Sequence, residues 1–252
     1  MRPEIFSDSV TNWLEIPTLM PMDKQLLMNS YLGFNAPSDF HSRLHAAPDS
    51  RFPEFLQLFS TGLNRFCNEL DEVEIPRSFS DLGYFLVEKA SEQYGTIVKS
   101  AVAMLLDGPV DLEDWTGSLK FDRSGNEMKI RFDLFHIVCA LRDWLVQVDE
   151  NGQVMVNPKF WASLTRRFST STRSDARWQL IGYFSNVLKS EKMKGRKSEL
   201  NAVLNLPALY VRNNERQIAE KLLSDLNFLE KTVRLGALST LIDRVIKNVI
   251  YY

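Results

Sequence analysis

Cysteine and histidine are nearly missing from this sequence: 252 residues hold two of the former and three of the latter. Two thiols in a chain of this length do not make a disulfide framework. Cys67 and Cys139 have apolar neighbours, Phe66 and Val138, and read as reduced core thiols. No apolar run approaches the roughly 18–20 residues that cross a bilayer, so no membrane span is expected. The first eight residues, MRPEIFSD, carry no apolar signal core, so the expected location is cytoplasmic. Nucleotide-binding glycine patterns are missing as well. Gly195-Arg196-Lys197-Ser198 lacks the upstream glycine and the Gly-Lys step of a phosphate loop, and no G-x-G-x-x-G, G-x-S-x-G or H-E-x-x-H occurs. No cofactor, no metal set and no catalytic nucleophile are expected.

What is present is an ordinary globular composition, 44% hydrophobic and 25% charged. The net charge of −2 hides a division. Residues 1–158 carry 13 Lys+Arg against 24 Asp+Glu, a balance of −11, whereas residues 159–252 carry 17 against 8, a balance of +9. Such a split implies two regions with different partners, or two regions that attract each other.

Periodicity places the elements. Residues 1–20, punctuated by Pro3 and Pro17, read as an irregular arm anchored by Trp13 and Leu14. Short helices are expected at 22–32 and 38–46, and a longer one from Pro53 to Leu70, with Phe55, Leu56, Phe59 and Leu63 at helical spacing. A single helix is expected from Ser80 or Asp81 to about Leu106, ended by Asp107-Gly108-Pro109. Residues 118–122 and 127–132 alternate with period two and predict a β-hairpin. Residues 133–144 then form a helix that is apolar nearly all round, hence buried. A second hairpin, 145–148 and 153–156, turns at Asp149-Glu150-Asn151-Gly152, where Asn-Gly is a strong turn signal. Helices are expected again at 158–168, 174–190, 198–210, 214–234 and 237–250, with a polar hinge at 169–172. The fold class is therefore mainly α with a small β component. Its three parts are a helical N-terminal region (1–80), a central module with two hairpins (81–158) and a basic C-terminal helical bundle (159–252).

The order of helix, hairpin, buried helix and Asn-Gly hairpin over residues 82–160 resembles a winged-helix domain, with the first hairpin standing where the second helix is usual. Winged helices that read DNA expose Lys, Arg, Asn or Gln on the helix before the wing. Here that helix offers Arg142 and His136 beside Asp133 and Asp143, and the wing carries Asp149 and Glu150, which repel phosphate. The resemblance thus implies protein contact. It is similar in logic to the small winged-helix accessory subunits of SMC-type complexes, used in chromosome maintenance and in plasmid or antiviral defence. It implies a non-enzymatic adaptor whose partner is a larger, SMC-like ATPase subunit; self-association is also open.

Three further patterns bear on function. Residues 159–197 hold ten Lys+Arg against Asp175 and Glu191 only. Arg166, Arg167, Arg173, Arg177, Lys189, Lys192, Lys194, Arg196 and Lys197 are the expected nucleic-acid contacts, DNA or RNA, because phosphate neutralisation needs that density of cations. Glu127-x-Lys129, preceded by Asp111, Asp114 and Asp122, resembles the D…ExK metal pattern of restriction-type nucleases. It gives an alternative catalytic set, Asp114, Asp122, Glu127 and Lys129, although Glu127 and Lys129 also share the solvent face of the expected strand. Finally, His41 and His45 stand one helical turn apart with no third ligand nearby, and read as a surface pair. A structural scaffold whose acidic and basic halves hold each other is the remaining alternative.

Overall fold

A computed structural model describes residues 18–67, 70, 73–122, 126–127, 134–142, 144–189 and 196–250. Thirteen α-helices and three short strands appear among them. The expected arm at 1–17 lies outside the described residues.

Helices α1 (Pro21–Leu32), α2 (Ser38–Ala46) and α3 (Pro53–Phe66) build the N-terminal layer. Proline opens α1 and α3, where a missing N–H costs nothing. Phe55, Leu56, Phe59 and Leu63 bury one face of α3. The single helix expected at 80–106 is two, α4 (Phe79–Tyr94) and α5 (Ile97–Met104). Gly95 takes φ +81°, a left-handed conformation that breaks the run between them. The cap of α4 is Ser78, whose Oγ accepts the Asp81 N–H at 3.2 Å.

Strand β1 (Val110–Asp111) and helix α6 (Leu112–Ser118) come before the first expected hairpin, in a stretch that periodicity leaves unassigned. Asp111 caps α6 by accepting the Glu113 N–H, and Trp115, Ser118 and Leu119 bury its inner side at helical spacing. Of the expected hairpin at 118–122 and 127–132, residues 123–125 and 128–132 lie outside the described residues. A single antiparallel bridge, Phe121 with Glu127, is what remains of the hairpin among the described residues. Helix α7 (Leu134–Leu141) follows, burying Ile137 and Leu141 while Cys139 is exposed, so Cys139 is no core thiol. The second hairpin forms as read. Strands β2 (Val146–Val148) and β3 (Gln153–Val156) pair antiparallel, Val146 with Val156, around a turn where Gly152 takes φ +76°. Asp149 Oδ1 accepts the Asn151 and Gln153 N–H groups and fixes that turn. Strand β1 pairs with β3, giving a sheet of order β1-β3-β2.

Helices α8 (Pro158–Arg167), α9 (Thr170–Lys189) and α10 (Arg196–Arg212) pack back on the earlier elements: α8 on α4, and α9 on α5 and α6. The polar hinge expected at 169–172 is the first turn of α9, where Ser169 Oγ accepts the Thr172 N–H and buried Phe168 anchors the corner. Helix α10 runs through Pro207. The helix expected at 214–234 breaks at Ser224-Asp225 into α11 (Arg216–Leu223) and α12 (Leu226–Arg234), because Asp225 caps the second by accepting the Asn227 N–H at 2.8 Å. Helix α13 (Leu238–Ile250) closes the chain.

One buried cluster runs from Met28 to Leu209 through all three regions, centred on Trp115, Trp144, Phe55, Phe59 and Phe160. A second, small cluster of Val203, Leu204, Phe228, Ala237 and Leu241 lies between α10 and the last helices. No helix among the described residues is long and apolar enough to cross a membrane.

Candidate functional site

The acidic and basic parts of the chain meet along a seam. Packing of α8–α10 on the earlier helices brings five bases from beyond residue 158 against four acids from before it. Lys159 pairs with Glu54, Arg167 with Asp81, Arg173 and Arg177 with Asp107, and Lys197 with Asp111. The outer pairs are solvated, Lys159 and Glu54 being 47% and 49% exposed. The middle of the seam is not: Asp107 is 12% and Arg177 13% exposed. There Arg177 grips both oxygens of Asp107, and Arg173 Nη2 adds a third bond at 2.8 Å. Arg177 Nη1 also donates to the Arg212 carbonyl, while Arg212 Nη1 donates to the Asp107 carbonyl. Burial alone would raise the Asp107 carboxyl, but the two guanidiniums outweigh it and hold the group below the usual carboxylate range.

Beside this knot lies a cleft of about 300 Å³ between β1 and α10. Asp111 and Asp114 mark its acidic end and Arg212 and Arg244 line its α10–α13 side. Both acids are buried because α6 starts at the sheet edge under α9 and α10. Asp114 Oδ1 accepts the Tyr183 hydroxyl at 3.2 Å and its Oδ2 accepts Asn201 Nδ2 at 2.6 Å. Burial pushes the Asp114 carboxyl up, opposed by the hydrogen bonds from Asn201, Ser198 and Tyr183. Burial and the neighbouring Asp114 charge push the Tyr183 phenol up to about 12. Asp111 Oδ2 meets Lys197 Nζ and, at 3.4 Å, Gln153 Nε2.

The expected nucleic-acid residues are thus dispersed. Arg166 and Lys189 stand exposed on α8 and α9. Arg167, Arg173, Arg177 and Lys197 are engaged with acids of the seam. Lys192 and Lys194 lie outside the described residues, as does the side chain of Arg196, which opens α10. Of the alternative catalytic set, Asp114, Asp122 and Glu127 lie among the described residues. Asp114 serves the cleft, and Asp122 accepts the Asn126 N–H at 2.9 Å and its amide at 3.3 Å, fixing a turn. Glu127 is exposed, and Lys129 lies outside the described residues. No group of three or more His, Cys, Asp or Glu that could hold a metal occurs among the described residues. His41 is buried rather than superficial, and its Nε2 lies 3.0 Å from Asn29 Oδ1. Sequence reasoning missed Asn201, Tyr183 and Asp107 as partners. The Asp111-x-x-Asp114 step at a helix start was a local signal for the cap, but nothing local tied it to α9 and α10. No family model, curated protein or solved structure matches this chain.

Proposed function

We propose that this chain is a non-enzymatic adaptor or scaffold subunit whose central module is a winged-helix-like unit that meets a protein partner. One observation carries the reading. The order α5, β1, α6, α7, β2, β3 with sheet order β1-β3-β2 supports it, since a winged helix also sets a second helix, here α6, between its first strand and the helix before the wing. The wing tip, Asp149 and Glu150, is exposed and acidic, which favours a protein over phosphate. The partner in this reading is a larger subunit of an SMC-like assembly.

Nucleic-acid contact is the second reading, favoured by the exposed Arg166 and Lys189 at the edge of the basic region. The seam weakens it, because four of the nine expected contacts already hold acids of the same chain. An electrophoretic mobility assay at about 50 and 200 mM salt, beside a melting curve, separates the readings. Nucleic-acid contact requires retardation at the lower salt that fades at the higher, and that Arg166→Glu with Lys189→Glu abolishes without lowering Tm. The scaffold reading requires no retardation of either protein, and a lowered Tm for Arg177→Glu. Mg²⁺-dependent cleavage of DNA, lost in Glu127→Ala, would overturn both.

A further inference from the structure

The cleft between β1 and α10 has charge of both signs on its walls, and the spacing of those charges can be read from α10. Asn201 and Asn205 stand one helical turn apart on the same face of that helix, about 5–6 Å between side-chain origins. The first donates to the Asp114 carboxylate at 2.6 Å; the second accepts from the Arg244 guanidinium, Nη1 to Oδ1, at 2.6 Å. A carboxylate and a guanidinium are therefore held on adjacent turns of the same α10 face. The lining also includes the apolar Met104, Leu180, Phe184 and Leu204 beside the polar Asn201 and Asn205. The volume, about 300 Å³, lies at the lower end of the range for small-molecule pockets.

The acidic end also displays what it accepts. Lys197 Nζ, an alkylammonium on a stem that is 58% exposed, rests against Asp111 Oδ2, and Asp111 is 4% exposed on its side chain. The other oxygen of Asp111 is engaged by the Glu113 N–H and keeps the helix cap whatever occupies Oδ2. An incoming ammonium can take the place of Lys197, which swings into water at little cost.

We propose that this cleft binds a small zwitterion of the α-amino acid class with an apolar side chain, its ammonium on Asp111 and Asp114 and its carboxylate on Arg244. An anion alone would meet two buried carboxylates, and a cation alone would meet the guanidinium wall. Only a ligand bearing both charges satisfies both ends, and the apolar lining takes its side chain. Burial of Asp111 and Asp114 strengthens the ammonium contact and penalises a ligand that lacks the positive charge, while the exposed Arg244 adds a solvated partner for the carboxylate. The inference is independent of the adaptor reading.

The test is isothermal titration calorimetry of the full chain with L-leucine, L-methionine and L-phenylalanine, beside leucinamide and 4-methylpentanoate, which each lack one charge. At least one zwitterion binds with Kd of about 1 mM or tighter, and its single-charge analogues bind about tenfold weaker or worse. Asp111→Asn and Arg244→Ala each weaken binding by about tenfold, and Lys197→Ala tightens it. Circular dichroism melting establishes that each variant is folded; should Asp111→Asn unfold, Arg244→Ala and the two analogues decide. Failure of all three amino acids to bind at about 10 mM overturns the proposal. So does leucinamide binding as well as leucine, or affinity that is unchanged in Arg244→Ala.

Discussion

The large core and the outer C-terminal helices of this protein are built on different principles. From Met28 to Leu209, helices of all three regions share one buried cluster whose largest members, Trp115, Trp144, Phe55, Phe59 and Phe160, are at most 2% exposed. Among the described residues of the last helices, Ala219, Phe228, Ala237 and Leu241 are buried, while Leu226 is 80%, Val233 58% and Ile242 49% exposed. The first region is packed like an interior. The second is amphipathic helix laid on a surface, where spacing alone does not reveal which apolar residues find a neighbour. The comparison teaches that stability is concentrated upstream of residue 210, and that the last helices should open first.

Four measurements sharpen or break that contrast. The largest effect belongs to Trp115. It is fully buried, and its Nε1 donates to the Ala101 carbonyl at 2.9 Å. Trp115→Ala should cost about 3–5 kcal/mol by urea titration. A loss below about 1 kcal/mol would show that the central cluster is not the keystone described here.

Asp107→Ala comes next, at about 3 kcal/mol, because it leaves the largely buried Arg173 and Arg177 without their carboxylate. The sign with pH follows from the depressed carboxyl. A folded-state pKa below the unfolded value of about 3.9 means that the stabilisation is present above that value. It is lost as pH falls through the folded pKa. The Tm gap between wild type and Asp107→Asn should therefore be constant from neutral pH down to about 5 and close toward pH 2. A gap that widens on acidification contradicts the ion-pair account.

Gly83→Ala tests the contact of α4 with α8. A methyl there would meet the Phe160 ring and its Cβ at 2.8–2.9 Å, closer than carbon atoms tolerate. Overpacking of about 1–3 kcal/mol is expected, read as a drop in Tm. Last, Leu226→Ser and Val233→Ser should each change stability by no more than about 0.5 kcal/mol, and amide exchange in α11–α13 should be faster than in α3 or α5. Protection of the last helices equal to that of α3 would erase the distinction between the two regions.

The same distinction explains what was legible in the sequence. Helical class, the α3 stripe and the Asn151-Gly152 hairpin follow from local spacing and turn chemistry, and they stand. The breaks at Gly95 and Asp225 were written in residue types that end or cap helices, yet the apolar stripes ran through them and masked them. Helix α6 was hidden because it is seven residues long and squeezed between the Asp107-Gly108-Pro109 stop and the alternation from Ser118, too short for its apolar spacing to show; its Asp111 cap and the burial of Trp115 define it. Of the cleft, Asp111 and Asp114 were visible as acids, but Asn201, Tyr183 and Arg244 come from elements 69 or more positions away. The basic segment was legible as composition. Its use as a clasp for Asp81, Asp107 and Asp111 depended on a fold that charge counting does not contain.

That clasp has a consequence for how the chain is made. Synthesis delivers the acids first and their bases last, so a nascent chain stopped near residue 158 carries an excess of eleven negative charges. It would also present α4 and α5 without α8 and α9, the helices that cover them. The packing that covers α4 and α5 can therefore form only once α8 and α9, through Lys189, have been made.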